Sequence, residues 1–187
     1  MAQGAVARER ASAGRDRARG VGACAARGKE AVEAFGGGSE RVAAGSFDAE
    51  RIFYEVKGIA DTGFLVAVRS ARDLHHEWAA RVAKDITEPL LVCEAVLAET
   101  AFHLGGASRA LSFLEEGMVR LAFEVGEHLE RLKELAERYR DRSPDLADLC
   151  VIRMSEIYPK HVVITTDVKD FGVYRRGRRE AIPLVCP

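Results

Sequence analysis

From about Phe53 the chain alternates short apolar runs with longer amphipathic ones. Residues 56–60 read as a short buried strand ending at Asp61, and residues 62–68 and 74–86 read as helices. Glu88-Pro89 breaks the pattern before a second apolar strand at 90–92. Residues 94–104 predict a helix stopped by Gly105-Gly106. Residues 107–116 predict another helix, and 118–123 have the apolar density of a strand. Residues 124–139 predict one amphipathic helix, with Leu129, Leu132, Leu135 and Ala136 on one side and paired charges on the other. Ser143-Pro144 opens a helix to about Ile157, with Ser143 suited to the cap and Pro144 to the first helical position. Residues 162–165 are a strand. Residues 171–174 and 182–185 flank Arg175-Arg176-Gly177-Arg178-Arg179, a hairpin or edge turn. Strands alternating with helices at this spacing predict an α/β fold with a mostly parallel central sheet and helices on both faces.

The first fifty residues differ. They hold nine of the seventeen glycines and only two aromatics, Phe35 and Phe47. Between Arg8 and Lys29 seven basic residues stand against two acidic ones, and Gly36-Gly37-Gly38 then breaks any helix. Such a segment cannot bury enough apolar surface to offset its ordering entropy. Residues 1–55 therefore predict a disordered extension, and residues 56–187 a folded domain. The extension has no apolar run of the secretory kind and matches a transit peptide only faintly.

Over its 187 residues the chain is 48% hydrophobic and 30% charged, with a formal net charge of −1. That is enough apolar material for one proper core, which excludes wholesale disorder. No stretch approaches the ~18–20 apolar residues of a membrane span. The near-zero charge gives no global argument for nucleic acid, so any such contact must come from local patches or metal ions. Cys24, Cys93, Cys150 and Cys186 form no C-x-x-C pair, and the histidines keep no zinc spacing to them. Cys93 and Cys150 sit in apolar runs as small buried hydrophobes, which reads as a reducing, cytoplasmic protein.

In a parallel sheet, ligands gather at the carboxyl ends of the strands. Asp61 and Asp167 directly follow predicted strands, although an Asp there also suits a helix cap. Asp145 falls in the first turn after Pro144, where the helix dipole favours a carboxylate. Asp148 is flanked by Leu146, Ala147, Leu149, Cys150, Val151 and Ile152. A carboxylate among so many apolar neighbours needs a partner or a metal, so Asp148 is the more informative acid. Glu99, inside an apolar helix, makes the same argument more weakly. Four acids from separated segments meeting at the mouth of the sheet would raise one another's pKa. Oxygen-only ligands favour Mg²⁺ or Mn²⁺ over Zn²⁺, and such an ion keeps open positions for a phosphate and activates water.

These residues resemble a known family. Asp61-Thr62-Gly63-Phe64-Leu65-Val66-Ala67 is similar to the opening of a PIN domain, and Val96-Leu97-Ala98-Glu99 to its second signature. The run from Tyr139 to Asp148 is similar to the third. The run from Ile164 to Arg175 resembles the family's T-x-D-x-x-D-F-x-x-Y-R ending. The resemblance covers residues 56–187, in order, and is nearest to the VapC-type toxins of bacterial toxin–antitoxin pairs. It implies a three-layer α/β/α PIN-like fold and a Mg²⁺- or Mn²⁺-dependent endoribonuclease. Asp61, Glu99, Asp148 and Asp167 would form the catalytic pocket. Asp61 and Asp148 would be the leading metal ligands with Asp167, and Asp145 a supporting or alternate one. Thr62, and Thr165 or Thr166, would orient carboxylates or the phosphate. It further implies an RNA substrate, a cognate antitoxin that blocks the pocket, and a homodimer.

Two departures stand out. Leu149 and Cys150 follow the third acid where relatives often have Ala. VapC-like chains also begin only a few residues before the first Asp, so residues 1–55 read as a misplaced start, Val56 being readable from a GTG codon. Arg175, Arg176, Arg178 and Arg179 fit either a solvated turn or an RNA-binding rim. Tyr174 and Trp78 are of the type that stacks on bases, with partial burial the simpler role. The alternative to a nuclease is a PIN-like RNA- or protein-binding module without activity. Ala60-Asp61-Thr62-Gly63 also matches an aspartic-protease triplet, but here it leads into a helix. A haloacid dehalogenase would need an acid at position 63, and no phosphate-cradling loop with Lys-Ser/Thr occurs.

Overall fold

The computed structural model describes residues 57–187. The expectations of a disordered extension and a misplaced start at 1–55 lie outside the described residues, as does Val56.

Five short strands form one parallel sheet: β1 (Gly58–Ala60), β2 (Leu90–Val92), β3 (Val119–Leu121), β4 (Val162–Ile164) and β7 (Leu184–Val185), in the order β3-β2-β1-β4-β7. Ile59 faces Leu91 on one side and Val163 on the other. β1 and β2 are buried at every position, whereas the edge strand β3 buries only Val119. Continuous apolar triplets are what central parallel strands covered on both faces require.

The connections set the layers. β1 runs to β2 through α1 (Thr62–Arg69) and α2 (His76–Lys84), and β2 runs to β3 through α3 (Glu94–Leu104) and α4 (Ala107–Glu115). Both crossings step in the same direction, so right-handed crossovers place α1–α4 on one face. The return from β3 to β4 through α5 (Leu129–Arg138) and α6 (Leu146–Ile157) steps the other way and places that pair on the opposite face. The contacts agree: α1 packs on α2 and α3, α3 on α4, and α5 on α6. This is the expected three-layer α/β/α arrangement. The order reverses at β1, which makes the carboxyl-end crevice between β1 and β4 the switch point where ligands gather.

Three local expectations change. The helix foreseen over 124–139 splits into a 3₁₀ turn, Val125–His128, and α5. Gly126 sits in that first turn, where glycine is a poor helix former. α6 begins at Leu146 rather than at Pro144. Ser143 precedes a proline and adopts φ 51°, and Asp145 is the cap, its side chain accepting from the Asp148 N–H. The third difference is an unforeseen single helical turn, α7 (Val168–Phe171), capped by Asp167.

The basic run does form a hairpin. β5 (Arg175–Arg176) pairs antiparallel with β6 (Glu180–Ala181), and Gly177 supplies a positive φ between them. Tyr174 and Phe171 pack edge-on in the core, and Tyr139 packs against Tyr174. Cys93 and Cys150 are both buried, as expected of small apolar fillers. No helix among the described residues is long and apolar enough to cross a membrane.

Candidate active site

The carboxyl ends of β1 and β4 open into a bowl of about 260 Å³ lined by Asp61, Thr62, Gly63, Glu99, Asp145, Asp148, Thr166 and Asp167, together with Val66, Asp73 and His103. All five acids expected from the sequence therefore reach one concavity. Asp61 leaves β1 and stands before α1, and Asp167 leaves β4 by way of Thr165 and Thr166 and caps α7. Glu99 comes from the second turn of α3. Asp145 and Asp148 occupy the cap and first turn of α6, so the helix dipole favours negative charge at both. No arginine or lysine among the described residues lines the bowl.

Each acid is held in place. Asp61 is 6% exposed, and its Oδ2 accepts a 2.7 Å hydrogen bond from Thr165 Oγ1. The fully buried Thr165 hydroxyl in turn accepts from the Asp167 N–H at 2.8 Å. Thr62 Oγ1 donates to Glu99 Oε2 at 2.8 Å. Thr165 thus holds the Asp61 carboxylate and the Asp167 backbone, and Thr62 holds the Glu99 carboxylate. Thr166 has another role. Its Oγ1 lies 2.2 Å from where a Cβ on residue 63 would sit, so the glycine leaves room for the Thr166 hydroxyl in this rotamer. Asp167 is exposed, and its Oδ1 accepts from the Asp170 N–H at 2.9 Å. Asp170 pairs with Arg142 at 3.0 Å. Tyr174 Oη lies 3.5 Å from Asp148 Oδ2, long for a hydrogen bond.

The electrostatics follow from crowding. Burial pushes the Asp61 carboxyl up to about 6, against the opposing pull of the Thr165 hydrogen bond. Burial also pushes Asp148 up to about 7, helped by the charges of Asp145, Asp61 and Asp167. Burial and the nearby Asp148 raise the Tyr174 phenol, which stays protonated. Carboxyls pushed towards neutrality, with no Arg or Lys lining the bowl beside them, form a site whose repulsion a cation would relieve. Among the described residues no three Asp, Glu, His or Cys side chains close into a ready-made metal cage. A set of carboxylate oxygens that leaves positions to water and phosphate fits Mg²⁺ or Mn²⁺.

The arginine rim is corrected in part. Arg176 is 5% exposed, and its guanidinium donates to the carbonyls of Pro159 at 2.8 Å and His161 at 2.6 Å. Buried and tied to backbone, it holds the hairpin against the α6–β4 loop, away from the acidic bowl. Arg175 donates to the carbonyls of Gly172 and Tyr174. Arg178 and Arg179 remain exposed. Tyr174 is fully buried, and Trp78 packs edge-on to Phe64 with centroids 5.9 Å apart, so the core takes both aromatics considered for stacking. The sequence reading missed Asp73 and His103. His103 stands four residues after Glu99 on α3, its Nε2 3.6 Å from Glu99 Oε1, a spacing that helical periodicity exposes. Asp73 comes from the α1–α2 loop, where periodicity carries no signal.

No family model matches the chain, and no curated protein matches it. The structure is similar to the crystal structure of VapC20 of Mycobacterium tuberculosis, a toxin that cleaves the sarcin–ricin loop. The likeness has a TM-score of 0.54 at 19% identity and covers 65% of this chain and 98% of that one. The chain has the PIN-like fold of VapC-type toxins.

Proposed function

We propose that the protein is a metal-dependent endoribonuclease that hydrolyses RNA phosphodiester bonds. The observation that carries this reading is the convergence of Asp61, Glu99, Asp145, Asp148 and Asp167 on one bowl at the switch point of a parallel sheet. Asp61, Asp148 and Asp167 would hold Mg²⁺ or Mn²⁺, with Asp145 in support. When bound, the ion would neutralise the bowl, let a phosphate enter, and supply Lewis-acid activation of water. The chain's own residues do the rest. Thr165 fixes the rotamer of Asp61 and ties it to Asp167. Thr62 fixes Glu99 at the wall, an acceptor suited to orienting the attacking water and taking its proton. The Asp145 carboxylate caps the Asp148 N–H, which anchors both acids at the α6 N-terminus beside the bowl.

The likeness to VapC20 supports a second layer of the proposal. The protein acts as the toxin of a type II toxin–antitoxin pair, as a cytoplasmic homodimer whose bowl a cognate antitoxin blocks. Purified protein should cut structured RNA with Mg²⁺ or Mn²⁺ and not with EDTA. Asp61→Asn and Asp148→Asn should each abolish cutting. Expression should arrest growth, and Asp61→Asn should relieve the arrest. A protein that binds RNA tightly but leaves it intact with either metal is a binding module instead.

A further inference from the structure

Phe102 is 82% exposed, and among the described residues every other Phe, Tyr or Trp is buried or only part-exposed. A single exposed apolar side chain is ordinary; the position of this one is not. Glu99, Phe102 and His103 are spaced i, i+3, i+4 along α3 and share one face of the helix. Glu99 and His103 line the acidic bowl. The Phe102 ring meets the His103 ring edge-on, with centroids 5.4 Å apart. The ring therefore stands one side chain beyond the wall of the bowl. Its surroundings leave it open. Ala98 lies one turn before it, and Gly105 and Gly106 follow it with nothing within 4 Å of where a Cβ would be. Small and polar neighbours suit a flat ligand laid on the ring, whereas a protein hot spot sits within a packed apolar patch.

We propose that Phe102, backed by His103, is a stacking platform for an unpaired nucleobase next to the phosphate held in the acidic bowl. The proposal rests on the ribonuclease reading and adds how that site takes its substrate. A phosphate in the bowl leaves its flanking base at the α3 wall, about one helical neighbour (about 5–6 Å) from the ring. Every base has a π-face, so the platform selects for unpaired bases rather than for a sequence.

The test uses the full chain and short single-stranded oligoribonucleotides carrying 2-aminopurine at each position in turn, with Ca²⁺ in place of Mg²⁺. One position should change fluorescence with wild type and with Phe102→Trp, and lose that change with Phe102→Ala and Phe102→Leu. Affinity should fall roughly tenfold in the last two. In cleavage with Mg²⁺, Phe102→Ala should raise KM by a similar factor and leave kcat within about twofold. Equal affinity and fluorescence for wild type and Phe102→Ala overturn the platform, even where cleavage stands. So does a Phe102→Ala protein whose oligomeric state changes while RNA affinity does not. Failure of cleavage alone, with the fluorescence pattern intact, overturns the nuclease reading and leaves the platform.

Discussion

Thr165 Oγ1 donates to Asp61 Oδ2 at 2.7 Å while accepting from the Asp167 N–H at 2.8 Å. One buried hydroxyl therefore couples the acid after β1 to the acid after β4. Its donated bond also opposes the burial that drives the Asp61 carboxyl upward. Thr165→Val keeps the shape and deletes both bonds. It should destabilise the fold by about 1–2 kcal/mol and move Asp61 ionisation to higher pH. At pH 6.5 its Mn²⁺ affinity, read by calorimetry, should drop below wild type, and Thr165→Ser should restore it. Unchanged affinity in the valine variant would remove Thr165 from the site.

Metal-free protein should become more stable on acidification from pH 8 to 5. Asp61 and Asp148 carry folded values of about 6 and about 7 against 3.8 unfolded. Both bind protons more tightly when folded. Their contribution is fully present below about pH 4 and is lost as pH rises through 6 and 7. For Asp61 alone the loss is at most roughly 3 kcal/mol. Thermal melts in EDTA should show it, and Asp61→Asn should raise Tm at pH 8 and flatten the pH dependence. A metal-free protein that weakens on acidification over this range would contradict the electrostatics of the bowl.

Divalent cations should act in the opposite sense. At pH 8, Mg²⁺ or Mn²⁺ should raise Tm by mass action on the folded state. The gain should shrink towards pH 6, because protons compete for the same carboxyls. Asp148→Asn should abolish most of it. A Tm indifferent to the cation at pH 8 would count against a metal at these residues.

Gly63→Ala places a Cβ 2.2 Å from Thr166 Oγ1. The Thr166 side chain, which lines the bowl, must rotate or shift. Cleavage should fall by an order of magnitude or more while stability changes by about 1–2 kcal/mol. Thr166→Ala removes the obstructing oxygen, so the double variant should regain much of the lost activity. Two independent losses in that cycle would show that the contact is not the cause.

Arg176 and the Arg178–Arg179 pair should separate cleanly. Arg176→Met strands the Pro159 and His161 carbonyls and should lower stability by about 2 kcal/mol without altering the salt dependence of RNA binding. Replacing both Arg178 and Arg179 with Ala should leave stability alone and flatten the salt slope by about one to two units if they meet phosphates. An unchanged slope would make the tip a plain solvated turn.

The sequence by itself determined most of the segments that become strands and helices, though not the break at Val125–His128 or the turn at Val168–Phe171. Apolar triplets such as Leu90-Leu91-Val92 and the glycine stop after Leu104 act through nearest neighbours, and local patterns register them. It also marked Asp61 and Asp167, because an acid after a buried strand is visible in one dimension. The tertiary structure alone decided where α6 starts, since the Asp145 cap competes with Ser143-Pro144 through backbone geometry that composition does not encode. Only the fold brought Asp73 into the bowl, buried Tyr174 and Arg176, and left Phe102 outside. Burial is a property of surfaces that meet across the chain, and an arginine or an aromatic reads the same in sequence whether its neighbours are water or the other side of the core.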